Sequence, residues 1–285
     1  MKIVFYLVMF MMCGVSVLSG QTGDGGGCFK IVAVNEMTRT METSLFASAD
    51  PAVVKQYIPK GAPASMSSFV LFAGGEPILF DTGLGGEAWV KKLADLGVKP
   101  ESVKLILLTH LHSDHVGGLL DGTKSRFPNA VVRCSEPEYQ HWLPKNGQPK
   151  NKQVGTIQSV YGKRFAETFR FGDEVFSNVQ ITIKALDAAG HTPGHTAFLI
   201  EAKKPAAQRF LIAGDLLHAA ALQFPKPDIC TSYDMEPDKA VQSRKRILDF
   251  AVREDLLIGG MHFPPPNTGK VRKNDAGGYS FAPAD

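Results

Sequence analysis

Short apolar runs, each closed by polar, histidine-rich or glycine-rich positions, recur along the chain. Ser68 to Phe72 and Pro77 to Phe80 are two such runs joined around Gly74-Gly75, which predicts a hairpin. Leu105 to Leu108, Val131 to Arg133, Val179 to Leu186, Phe210 to Ala213 and Leu256 to Ile258 are further runs of strand length. Phe29 to Val34 is strand-like with weaker alternation, and residues 41–57 show no dominant period. Helical spacing appears between the runs. Glu87 to Leu96 carries Trp89, Leu93 and Leu96 on one side and stops at Gly97; Ser135-Glu136-Pro137-Glu138 has the cap, early proline and third-position acid of a helix start. Residues 151–162 are predicted helical, and Gly117 to Leu120 reads as a helix opening. Pro237 to Arg253 puts Ala240, Val241, Ile247, Leu248 and Ala251 on its apolar side; Arg244, Lys245 and Arg246 form an opposite, solvated face. Strands followed by helices, repeated once, predict an α/β domain of two packed sheets with helices outside both.

Met1-Lys2 precede an apolar stretch from Ile3 to Leu18, shorter than the ~20 residues of a membrane span. With small residues at Ser19 and Gly20, this reads as a secretory signal over residues 1–20, then a glycine-rich flexible spacer over 21–28 and one domain over 29–285. A periplasmic or secreted protein without a stable membrane anchor is expected. Lipidation at Cys28 is disfavoured, because Gly25 stands where an apolar residue would be wanted. The chain has 31 Lys+Arg against 28 Asp+Glu, and loss of residues 1–20 removes Lys2 alone, leaving +2 with histidines neutral. That balance gives no argument for nucleic acid or a charged membrane, so neither is expected as a partner; a small-molecule substrate is expected, and a homodimer stays open. Cys28, Cys134 and Cys230 are too few and too far apart for a disulfide framework.

The chemistry is concentrated in Thr109-His110-Leu111-His112-Ser113-Asp114-His115-Val116-Gly117-Gly118, directly after an apolar run. Three imidazoles and a carboxylate within six positions make a metal site. In an extended backbone His110, His112 and Asp114 project to one side, while His115 is out of phase and better placed for a second ion. Later stretches, Ala189-Gly190-His191-Thr192-Pro193-Gly194-His195, Ala213-Gly214-Asp215 and Gly259-Gly260-Met261-His262, each follow a strand-like run, so their ligands can meet at one sheet edge. His141, alone on an amphipathic helix, belongs to no site.

These four motifs in this order resemble the metallo-β-lactamase superfamily of dinuclear metallohydrolases. The resemblance implies the αββα sandwich. It also implies that His110, His112 and His191 hold one ion, that Asp114, His115 and His262 hold the other, and that Asp215 bridges them. His191 is the ligand of its motif by this likeness, with His195 behind it; Asp81, in Asp81-Thr82-Gly83, is either an orienter of a ligand loop or an ordinary Asx turn. Residues 214–224, with Gly260-Met261-His262-Phe263-Pro264, look like the branch containing methyl parathion hydrolase. There His218 stands where related lactonases carry a tyrosine near the substrate carbonyl.

Two divalent ions per chain, zinc by default for a thiolate-free site, would generate a bridging hydroxide that attacks esters, lactones or phosphotriesters. Asp114 and His218 are the expected catalytic side chains. A secreted metallo-β-lactamase is the alternative, although such enzymes often carry cysteine or serine where Asp215 stands; a mononuclear persulfide dioxygenase would leave the second set unused. The segments 216–224 and 263–269 lack Lys and Arg, which predicts neutral or weakly charged substrates and poor β-lactam turnover. Phe46, Trp89, Trp142 and Phe224 are candidates for a pocket wall as well as for core.

Overall fold

Apolar runs of this length make strands only where both faces are covered, and two sheets with outer helices provide that cover. A computed structural model describes residues 15–18, 29–205 and 207–284. In order the elements are β1 Val15–Leu18, β2 Lys30–Met41, a 3-10 turn Thr43–Phe46, α1 Pro51–Tyr57, β3 Ala62–Phe72, β4 Ile78–Phe80, α2 Glu87–Asp95, β5 Leu105–Leu107 and α3 Ser113–Val116. A small hairpin (β6 Leu120–Asp121, β7 Lys124–Ser125) leads to β8 Val131–Ser135, α4 Glu136–Trp142, α5 Lys152–Tyr161, β9 Thr168–Phe169, β10 Glu174–Ser177 and β11 Ile181–Asp187. The chain continues through β12 Thr196–Ala202, β13 Arg209–Ile212, α6 Ala220–Gln223, α7 Pro237–Arg253, β14 Leu257–Gly259, β15 Thr268–Lys273 and β16 Tyr279–Pro283.

One sheet has the order β1-β2-β3-β4-β5-β8-β9 and the other β10-β11-β12-β13-β14-β15-β16. Both are mixed: β4, β5, β8 and β9 run parallel, as do β13 and β14. Period-two alternation splits each run between layers. Ile78 and Phe80 face the inter-sheet core with Phe69, Phe198, Phe210 and Ile212, while Leu79 between them points outward with Ile106 and Val132 against Trp89, Leu93 and Ile157. Leu211 and Ile258 face Ile247, Leu248 and Ala251 of α7 on the far side. Each such side chain, fully buried, contributes ~1.5–3 kcal/mol. The expected αββα sandwich is the fold observed.

Several local expectations change. The helix expected from Gly117 is a 3-10 turn ending at Leu119, after the single turn of α3. A Cβ on Gly117 would run into the Leu84 carbonyl and one on Gly118 into that of Thr82, so the two glycines seat this loop against the one after β4. Arg244 is 1 % exposed rather than solvated, whereas Lys245 and Arg246 do lie at the surface. Residues 41–57 resolve into the end of β2, a 3-10 turn and α1, whose N-cap Asp50 accepts from Ala52 N. The leader and spacer expected over residues 1–28 fall outside the described residues except for Val15–Leu18, which pairs antiparallel with β2. Among the described residues no helix is long and apolar enough to cross a membrane.

Candidate metal centre

The loops that follow β4, β5, β11, β13 and β14 converge on one edge of the sandwich, the carboxyl side of its parallel strands. The two sheets are tied there by Thr196 N donating to Thr109 O at 2.9 Å. The backbone stays extended through His112, which keeps His110 and His112 on one side, and then winds into α3 at Ser113. That turn carries Asp114 away from them. The extended-chain grouping of Asp114 with His110 and His112 is therefore corrected: Asp114 stands with His115 and His262.

His110 Nε2 and His191 Nε2 each lie 3.0 Å from His112 Nδ1. His115 Nε2 is 3.7 Å and His262 Nε2 3.5 Å from Asp114 Oδ2. Asp215 is central to both groups. Its Oδ2 lies 3.7 Å from His110, 3.4 Å from His191, 2.9 Å from His262 and 3.3 Å from His218, and its Oδ1 is 3.2 Å from His115.

The outer nitrogens explain why so many inner ones can face each other. His115 Nδ1 donates to Asp81 Oδ2 at 2.7 Å, His191 Nδ1 to Asp234 Oδ1 at 3.0 Å, His262 Nδ1 to the Ser65 carbonyl at 2.8 Å, and His110 Nδ1 to Thr109 Oγ1 at 3.0 Å. With those protons committed outward, the inner Nε2 of His110 and that of His191 each present a lone pair to His112, a tautomer set by the network. Lone pairs 3 Å apart, next to a carboxylate, need a cation between them. Two of the inward atoms, His115 Nε2 and Asp215 Oδ1, are buried with no hydrogen-bond partner. The donor set, imidazole and carboxylate without thiolate, fits divalent metal ions.

Charge follows the same division. Burial pushes His110 well below the usual imidazole range and His112 down to about 3, so both are neutral, as ligation requires. At His115 and His262 burial acts the same way but is outweighed by Asp215 and Asp114, which raise both. Burial would raise Asp215, yet His115, His262 and His110 hold it well below the carboxylate range. Positive charge is wanted between these groups.

Buried partners fix the loops. Asp81, at φ +58 directly after β4, takes Thr109 N at 2.8 Å and Thr109 Oγ1 at 2.7 Å besides His115, which is the orienting role. His195 lies behind the centre: its Nδ1 donates to the Ala188 carbonyl and its Nε2 accepts from Asp215 N at 2.9 Å. A Cβ on Gly214, at φ +59, would collide with that ring. Three residues not singled out from sequence also serve here. Asp234 accepts from His191 and from Arg244 Nη2 at 3.2 Å, and the buried Arg244 also donates to the carbonyls of Leu216, Pro227 and Ile229. Glu138, the third-position acid of α4, is buried. One oxygen takes Leu111 N at 2.9 Å and Trp142 Nε1 at 2.7 Å; the other takes Thr192 Oγ1 at 2.6 Å and Gly194 N at 3.0 Å. It joins the two histidine loops.

A cavity of about 490 Å³ opens over the centre, lined at its floor by His112, Asp114, His191, Asp215, His218 and His262. His218 stacks on His262 with ring centroids 4.9 Å apart, and burial lowers its pKa to about 4, so it is neutral. The walls include Met37, Met41, Met66, Leu84 and Tyr233, with Arg39 among them, and the polar Ser113 and Asn151. Of the two roles open to Phe46, Trp89, Trp142 and Phe224, core is the one the structure shows: all four lie in hydrophobic clusters and none lines this cavity. The mouth, expected to lack a cation, has one from a strand rather than a loop. His141 sits apart, its Nδ1 3.3 Å from Lys150 Nζ.

Comparison with known proteins places the fold in a known family. AbOPH, described as a hydrolase in the beta lactamase superfamily, superposes with TM-score 0.79 at 28% identity, over 91% of this chain and 96% of its own. The dizinc quorum-quenching lactonase AidC, solved with a homoserine product, shares the fold at TM-score 0.76 and 22% identity, over 90% and 94%. The atrochrysone carboxyl ACP thioesterase of Passalora fulva is 30% identical over 153 residues, 53% of this chain and 38% of its own length. The chain thus spans little more than a third of that curated relative. A family model, the metallo-beta-lactamase superfamily, matches residues 62–259, through both sheets and every loop of the centre up to the end of β14. On that match the chain belongs to the metallo-beta-lactamase superfamily, whose relatives named here are hydrolases.

Proposed function

We propose that the chain is a hydrolase that works with two divalent ions, zinc by default, on esters and lactones, with phosphotriesters as a further class. In this reading His110, His112 and His191 hold one ion, Asp114, His115 and His262 the other, and Asp215 is shared. The observation that carries it is the convergence of five imidazoles on the single buried carboxylate of Asp215, with the outer nitrogens of four of them already committed as donors. The likeness of residues 214–224 to the methyl parathion hydrolase branch supports the substrate classes. A bound metal pair supplies a water acidic enough to attack at neutral pH and a Lewis acid for the substrate oxygen.

The chain's own groups do the rest. Asp114, its side chain 18% exposed against 2% for Asp215, is the carboxylate that reaches the cavity and can pass a proton to the leaving group. His218, neutral and against His191 and His262, can hydrogen-bond the substrate oxygen as charge grows on it. Met37, Met41, Met66 and Leu84 receive the apolar part of the substrate.

The test is metal content of the purified protein together with a panel of lactones, aryl esters, phosphotriesters and β-lactams, before and after chelation. Two ions per chain and chelator-sensitive ester or lactone hydrolysis, restored by zinc, are expected. No turnover with two ions bound, or one iron and persulfide oxidation, would overturn the reading. A secreted metallo-β-lactamase remains the second reading because Arg39 offers the cation that a β-lactam carboxylate needs; penicillin or carbapenem turnover with every other class inert would establish it.

A further inference from the structure

Strand β2 overhangs the centre, and alternate residues of its last turns of pleat, Met37, Arg39 and Met41, all line the cavity. Across the strand pair Met37 faces Met66, and Leu84 closes the wall. A guanidinium amid four apolar side chains is out of keeping with a wall that only receives acyl chains. It is also poorly matched: Nε is shielded from solvent with no partner, and Nη2 reaches only Tyr233 Oη at 3.5 Å and Met41 Sδ at 3.6 Å. Among the described residues no carboxylate comes within ion-pair distance of it, although every other buried or half-buried charge at the centre is paired. Five N–H donors in a planar fork are left with one hydroxyl and one thioether. Tyr233, its hydroxyl by Arg39, packs its ring 5.7 Å from that of His218, so the guanidinium stands one side chain from the reacting end of the cavity.

We propose that Arg39, with the Tyr233 hydroxyl, binds a carboxylate carried by the substrate away from the bond that is cleaved, so that acid-bearing esters or lactones are preferred over neutral ones. This deepens the hydrolase reading and rests on it. Two carboxylate oxygens side by side match the guanidinium fork, and the methionines on either side suit an acid borne on an apolar chain better than a strongly hydrated dianion. The segments after Asp215 and His262 need supply no cation, because β2 does.

The experiment compares 4-nitrophenyl hydrogen glutarate with 4-nitrophenyl butyrate, and, by calorimetry, the matching non-hydrolysed anilides, on the metal-loaded protein. In the wild type kcat/KM for the acid ester should exceed that for the neutral one, and Arg39→Met should lower that ratio ~10–100-fold, as for a lost charge-assisted hydrogen bond. Arg39→Lys should retain part of it. The acid anilide should bind more tightly than the neutral one, and that preference should vanish in Arg39→Met and weaken in Tyr233→Phe. No preference for the acid in the wild type, or a preference that survives Arg39→Met, overturns the proposal; the latter would mean that the carboxylate goes to the metal ions. If neither ester is cleaved but the anilide preference depends on Arg39, the carboxylate site stands and the hydrolase reading fails.

Discussion

Replacing Glu138 removes a buried carboxylate whose hydrogen bonds tie the two histidine loops together. Its four donors come from Leu111, between His110 and His112, from Thr192 and Gly194, flanking the turn after His191, and from Trp142 of its own helix. In Glu138→Gln one oxygen can keep Leu111 and Trp142, and the Thr192 hydroxyl can turn to accept, but the new amide faces Gly194 N–H and leaves it unpaired. One orphaned buried donor and the lost charge give about 2–3 kcal/mol. Glu138→Ala leaves all four donors without an acceptor, at ~1–3 kcal/mol for each that water cannot reach, so a loss of about 4 kcal/mol or more is expected. Trp142→Phe, which breaks one of the four bonds, should cost about 1 kcal/mol. Urea unfolding of the chelated proteins measures these losses free of metal. Competition with a chromophoric chelator then reads the ions: zinc affinity should fall ~10–100-fold in Glu138→Ala, the range for losing a group behind the ligands, and little in Trp142→Phe. A Glu138→Ala protein within about 1 kcal/mol of wild type, with unchanged chelator competition, would refute the idea that this carboxylate holds the loops together.

The remaining expectations concern the centre itself. His191→Ala should lose an ion and abolish hydrolysis, whereas His195→Ala should keep both ions at reduced stability; metal analysis of the pair decides whether the right histidine has been assigned. Asp215→Asn preserves shape but removes the negative charge shared by two cations, so one ion should leave before the other on dialysis, and two retained ions with normal turnover would show that Asp215 is not shared. His218→Ala should lower kcat more than it raises KM if its hydrogen bond forms mainly as charge develops, and a pure KM effect would make it a binding group instead.

What could be read from the sequence was what is local. His110, His112 and His115 announce themselves because six residues hold three imidazoles, and the strand-end positions of His191, Asp215 and His262 follow from the runs before them. Even there the backbone intervened, since α3 begins at Ser113 and an extended-chain argument misplaces Asp114. Asp234 gives no such signal: its partner His191 is 43 residues away, and an acid in a loop has no spacing to betray it. The Ser65 carbonyl that orients His262 has no side-chain signature at all. Arg244 is legible in the sequence by its helical position. It falls on the stripe of Ala240, Ile247, Leu248 and Ala251, so within Arg244-Lys245-Arg246 it is the one whose helical position faces inward. Arg39 was hidden for a different reason: β2 is twice the length of its apolar beginning, and only pairing with β3 carries Met37 to Met41 out over the site.

Asp114 and His115 come from the sheet that contains β5, and His262 from the sheet that contains β14; His110 and His112 share a partner, His191, across the same seam. Neither half of the sandwich holds a complete set of ligands. With the ions assigned as proposed, metal loading acts as a latch on the union of the two layers, so its free energy appears only when they are docked. By mass action an ion at a thousand times its dissociation constant adds about 4 kcal/mol to that docking step alone. A chain starved of metal would lose that contribution at the seam, and because each sheet covers the inner face of the other, the two would melt together at a lower temperature.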